Sequence, residues 1–152
     1  MEQLNQTQAA SAAAAVPQAP TDLNDLDVRS AAAEGAEVEL YHPVTGKGLS
    51  IFVTVVGKDS EDFKDVQSHQ NRRRMGKMAK GGQRAALNLG DDVDADRIEL
   101  LALCTRGWRG MVLNGQAVAF SAQAAESLYM KYPWMAEQVD QAIGDRSLFM
   151  KV

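Results

Sequence analysis

The run Leu49-Ser50-Ile51-Phe52-Val53-Thr54-Val55-Val56 restricts the fold more than any other stretch of this chain. It is rich in β-branched residues, and Leu49, Ile51, Val53 and Val55 fall on one face at a spacing of two. That is the period of a strand, not of a helix. A buried strand must pair its backbone groups with a neighbour. A partner precedes it, because Val38 and Leu40 alternate with Glu37, Glu39 and Tyr41. His42-Pro43-Val44-Thr45-Gly46-Lys47-Gly48 reads as the connecting loop. A first β-hairpin is therefore expected, ended by Gly57.

A second hairpin is signalled further on. Met111-Val112-Leu113 and Gln116-Ala117-Val118-Ala119-Phe120 flank Asn114-Gly115, a pair that tolerates the positive φ angles of a type I′ turn. Helical patterns fill the rest. Asp59 or Ser60 caps a helix whose first turns carry Glu61, Asp62 and Asp65, where the helix dipole favours acids. Gly76 weakens it, and Gly81-Gly82 should end it. A flexible basic and glycine-containing linker is expected around 76–92, most clearly over 81–92. A further helix should start at Asp92, Asp94 and Asp96, with Ile98, Leu101, Ala102 and Thr105 on its apolar side. Gly107-Trp108-Arg109-Gly110 breaks it. Ser121 caps the next helix, through Lys131, and Pro133 suits the first position of the last one. The expected class is α+β: two short hairpins packed with about four helices.

The chain's 152 residues fit one domain with a tail. Residues 1–35 hold five acids and one base, so the whole net charge of −4 sits there, while 36–152 carry equal numbers of each sign. Gln, Ala, Ser, Pro, Asn and Asp dominate 1–35 and aromatics are absent. Such a segment buries too little to offset its chain entropy, so a disordered tail over 1–35 and a domain over 36–152 are expected. Ala9–Ala15 could form a transient helix. The single cysteine, Cys104, rules out an intramolecular disulfide, and within Leu100-Leu101-Ala102-Leu103 it reads as a small buried hydrophobe. No apolar run approaches the roughly 18–20 residues of a membrane span. The start of the chain lacks the pattern of a signal peptide. An intracellular, reduced-compartment protein is expected.

Catalytic and metal chemistry find little support in the sequence. His42 and His69 have no partner at metal-ligand spacing, and no nucleophile elbow, Cys-x-x-Cys or Walker-type loop occurs. Asp92-x-Asp94-x-Asp96 imitates the start of a calcium loop. Its sixth position is Arg97 where glycine is needed, and its twelfth is Leu103 where glutamate is needed. An acidic helix start explains it better. No enzyme, cofactor or metal is expected.

The basic stretch is more informative. Arg72, Arg73, Arg74, Lys77, Lys80 and Arg84 occur with no acid between Asp65 and Asp91. A solvated face, a patch for an acidic protein partner and a nucleic-acid site all fit such a run. No aromatic is interleaved for base stacking, and Asp91, Asp92, Asp94, Asp96 and Glu99 follow directly, which weighs against nucleic acid. The opposite blocks can pair within one chain or between copies. The aromatic corner of Trp108, Tyr129, Tyr132 and Trp134 fits a core better than a pocket.

Several of these punctuation residues together carry a resemblance. Pro43-Val44-Thr45-Gly46, Gly57-Lys58-Asp59-Ser60, Asn71-Arg72-Arg73-Arg74, Gly107-Trp108, Asn114-Gly115, Phe120-Ser121, Ala124-Ala125, Tyr132-Pro133-Trp134 and Glu137-Gln138-Val139 occur in that order. Over about residues 37–150 the chain resembles the tail assembly chaperones of long-tailed, siphovirus-like bacteriophages. The resemblance implies a non-enzymatic protein of the host cytoplasm, generally absent from the finished virion. It would bind the tape-measure protein and help recruit tail-tube subunits. A longer frameshifted form is often made in this family. Self-association suits such a role. The expected apolar contacts are Trp108, Tyr129, Trp134 and Met135 with the tail Leu148, Phe149 and Met150, and the expected steering set is Arg72, Arg73, Arg74, Lys77 and Lys80. The competing readings are a structural virion protein of the tail or head-tail connector, and a nucleic-acid-binding accessory protein.

Overall fold

The computed structural model describes residues 19–150, with the side chains of Ala85, Ala86 and Leu89 outside that description. The predicted helix over Ala9–Ala15 lies outside the described residues. A 3-10 turn, Leu23–Leu26, leads into α1, Val28–Glu34. The hairpin β1, Ala36–Tyr41, and β2, Gly48–Val55, follows. Then come α2, Glu61–Leu87, and α3, Leu89–Cys104. The strand β3, Thr105–Arg109, precedes the small hairpin β4, Val112–Leu113, and β5, Gln116–Ala117. Three helices close the described residues: α4, Ala122–Lys131; α5, Pro133–Gly144; and α6, Arg146–Phe149. The class is α+β, and the described residues form six helices and two small antiparallel sheets.

β2 is the centre of the larger sheet, with β1 on one side and β3 on the other, both antiparallel. The predicted alternation is visible in its burial. Val53 and Val55 are buried, Leu49 and Ile51 partly so, and all four face the helices. The other face is more open. There Phe52 is covered by the Arg109 guanidinium, 3.8 Å above its ring. α5 packs on β1 and β2, and α3 packs on α2, α4 and α5. Leu40, Val56, Leu101, Tyr129, Val139 and Ile143 fill the space between them.

Three expectations are corrected. First, the stretch expected to be disordered over 1–35 carries structure from Leu23 to Glu34 among the described residues. Asp27 caps α1 by accepting from the Ser30 amide. Ala32 is buried, and its carbonyl accepts from the Gly57 amide at 2.9 Å. Gly57 has no room for a side chain, because a Cβ there would lie 2.8 Å from Ala32 Cβ and 3.0 Å from the Phe149 ring. α1, the end of β2 and α6 meet at that glycine. Second, residues 105–109 are a strand and not merely a helix break; Trp108 pairs with Val53. Third, there is no extended linker over 81–92. α2 runs through Gly76 to Gly82, which alone leaves helical geometry (φ 54°, ψ −131°). Helix resumes and α3 starts at Leu89. The glycine pair therefore makes a turn between two packed helices.

The local signals hold elsewhere. Ser60 is buried and caps α2 by accepting from the Phe63 amide at 3.2 Å. Asn114 and Gly115 have φ of 54° and 78°, as a type I′ turn needs. Ser121 accepts from the Ala124 amide at 3.0 Å, and Pro133 opens α5.

Candidate functional site

α2 and α3 form an antiparallel arm, and the two charge blocks meet along it. The side chain of Gln70 donates to the Asp96 carbonyl at 2.8 Å and to Glu99 at 3.0 Å. Arg73 donates to Asp96 at 2.6 Å and approaches Glu99 at 3.3 Å. Arg74 Nε lies 3.2 Å from Asp96 Oδ2, off the hydrogen-bond line, so charge alone holds that contact. Asp96 is buried. Its hydrogen bond is the main cause that raises the Arg73 guanidinium above its ordinary pKa. Further along, Lys77 stands 3.6 Å from Asp92. The blocks thus pair within the chain.

That pairing divides the predicted steering set. Arg73 and Arg74 are committed to Asp96, and Lys77 is loosely tied to Asp92. Arg72 and Lys80 are exposed and make no ion pair among the described residues. Arg84, which the basic run included, is in the same state. These cations border a cleft of about 620 Å³ between the two helices, with Gly76, Gly81, Asn88 and Asp92 also on its wall. Arg72, Gly76 and Lys80 follow at intervals of four, which puts them on one helical face, and Arg84 reaches the same cleft from beyond the Gly82 turn. That spacing was a usable sequence signal. The exposed Met75 and Met78 on the same arm had none, since their exposure depends on what α2 leaves uncovered.

The predicted apolar contact set lies largely inside the molecule. Tyr129 is wholly buried, and Met135 and Phe149 nearly so. Leu148, Trp108 and Trp134 are half-buried against the same core. Phe149 closes over Gly57 as described, so the supposed apolar tail is the last helix of the fold. Trp108 Nε1 donates to the Val118 carbonyl at 2.8 Å, and its ring meets Phe120 edge-on at 5.0 Å. This pins the small hairpin to β3. Tyr132 and Trp134 meet edge-on at 6.5 Å. Beneath the hairpin, Trp134, Met111, Leu113 and Met135 line an apolar hollow of about 120 Å³, room for a single side chain.

The polar interior is structural. Thr105 donates its one hydroxyl proton to the Leu101 carbonyl at 2.8 Å. It therefore receives the Tyr129 hydroxyl at 2.7 Å. Burial pushes the Tyr129 phenol up to about 12 and the Cys104 thiol likewise to about 12. A thiol so placed is inert, as its apolar neighbours predicted. Among the described residues no three His, Cys, Asp or Glu side chains are grouped to hold a metal ion. No described helix is long and apolar enough to cross a membrane.

The sequence matches no family model and no curated protein, and its fold matches no solved structure.

Proposed function

We propose that this protein is a non-enzymatic tail assembly chaperone of a long-tailed bacteriophage. In this reading it binds the tape-measure protein in the host cytoplasm, promotes tail-tube assembly and is left out of the mature virion. The observation that carries the reading is the α2–α3 arm. It keeps cations beyond those its own acids neutralise, and it exposes Met75 and Met78 elsewhere on α2. Methionine side chains adapt to varied apolar surfaces, and charge speeds and orients encounter without demanding tight fit. Both properties suit reversible holding of a long helical chain. The ordered motifs from Pro43 to Val139 support it as well, since they resemble that family's pattern. The apolar contacts are reassigned from the buried aromatic residues to Met75, Met78 and the rim around Trp134.

Co-expression with the tape-measure protein of the same phage tests this. The two chains should co-purify, and Arg72→Glu/Lys80→Glu/Arg84→Glu should reduce the recovered complex. Mass spectrometry of purified particles should find no stoichiometric copy of the chain. Failure to co-purify, or a stoichiometric signal in particles, would overturn the reading.

A further inference from the structure

We infer that the cleft between α2 and α3 is a docking site for an acidic amphipathic helix, one whose carboxylates bridge Arg72, Lys80 and Arg84. This deepens the proposed function and rests on that reading for its biological partner; the binding chemistry stands on the cleft itself. Three exposed cations line the cleft, Arg72 and Lys80 before the Gly82 turn and Arg84 just beyond it, and none has an acidic partner among the described residues. Arg72 and Lys80 stand about two helical turns apart, a separation that carboxylates two turns apart on an opposing helix can match, with Arg84 on the same lining. Gly76 and Gly81 lie on the wall between them. A side chain built at Gly76 would meet nothing within 4 Å, so the wall is low enough for a second backbone to come close. The lining includes no large apolar residue, so the methylene stems of its arginines and lysines supply the apolar contact. Lys77 is held to Asp92 only at 3.6 Å on a half-exposed side chain, so an incoming carboxylate can compete for it.

The same lining disfavours nucleic acid. It has no aromatic ring for a base. The Asp92 carboxylate on the wall also opposes a phosphate backbone, whereas a helix of mixed charge can place a lysine there.

Fluorescence anisotropy of the full chain provides the test. The probe is a labelled amphipathic peptide of about 20 residues, long enough to be helical, with glutamates on one face and leucines on the other. Its all-glutamine counterpart and a single-stranded oligonucleotide are the comparison probes. The acidic peptide should bind, weaken with added salt, and lose about tenfold or more affinity with Arg72→Glu/Lys80→Glu/Arg84→Glu. A Lys47→Glu/Lys64→Glu variant, which alters charge elsewhere, should bind as the original does. Circular dichroism checks that both variants remain folded. No binding, equal binding of the glutamine peptide, tighter binding of the oligonucleotide, or indifference to the triple variant would each overturn the inference. A chain that binds the acidic peptide yet fails to co-purify with the tape-measure protein would retain the docking site and lose the chaperone role.

Discussion

Asp96 is the residue on which the arm depends. Its carboxylate is buried between two guanidiniums, and its carbonyl receives Gln70. A buried charge costs little only while its partners remain. Asp96→Asn keeps the shape but leaves Arg73 and Arg74 facing one another with only Glu99, at 3.3 Å from Arg73, to offset their charge. The expected loss is about 1–3 kcal/mol, less than for a fully enclosed pair because the Arg73 side chain is 38% exposed. Urea unfolding followed by circular dichroism measures it. An unchanged midpoint would mean that solvent already screens the cluster. Arg72→Ala, next in sequence but without an ion pair, should leave the midpoint within about 0.5 kcal/mol. Adjacent arginines thus differ in role because a helix turns neighbouring side chains to different faces.

Among the elements, those with strictly local causes were legible. The β2 alternation, the Asn114-Gly115 turn, the Ser60 and Ser121 caps and Pro133 at the start of α5 each fix a few dihedrals without distant help. β3 was not legible, because Thr105-Arg106-Gly107-Trp108-Arg109 has no clean alternation and becomes a strand by pairing with β2. α1 was missed for a similar reason: its alanines gain their burial from Gly57 and Phe149. The cations of the site could be read as a run. Which of them remain free could not, since that is decided across two helices.

Gly82 permits a direct test of the arm as an element. Its φ of 54° with ψ of −131° belongs to a region open to glycine and strained for other residues. Gly82→Ala should cost about 1–3 kcal/mol locally, loosening the turn so that trypsin cuts faster at Arg84. Gly76 has helical geometry and open surroundings. Gly76→Ala should instead stabilise α2 by roughly 0.5–1 kcal/mol and slow that cleavage. If both alanines acted alike on proteolysis, the turn would not reside at Gly82.

At the scale of the whole molecule, ion pairs join segments that are remote in sequence. Arg109 makes two hydrogen bonds to Glu37, linking β3 to β1 beside the central strand. Arg146 makes two to Asp59, at 2.7 and 2.9 Å, tying α6 to the loop before α2. In each case the hydrogen bond from arginine is the main cause that holds the carboxyl below its ordinary pKa. The folded chain therefore binds fewer protons than the unfolded chain between those lowered values and about 4, where free carboxyls titrate. The stabilisation is complete above about pH 5 and disappears as pH falls through the lowered values.

Arg146→Ala exposes this dependence. At pH 7 the variant should unfold at lower urea concentration than the original chain. The gap between their midpoints should narrow below about pH 4 and close as the pH falls through the lowered value, below which Asp59 is protonated with or without its partner. Added salt should narrow the gap at pH 7 only in part, because Asp59 itself is 13% exposed while Arg146 is 57% exposed. A gap that stayed constant from pH 7 down through the lowered value would assign the effect of Arg146 to the packing of its stem over the loop, and not to its charge. Phe149, through its fit against Gly57, and that stem would then hold α6 in place together.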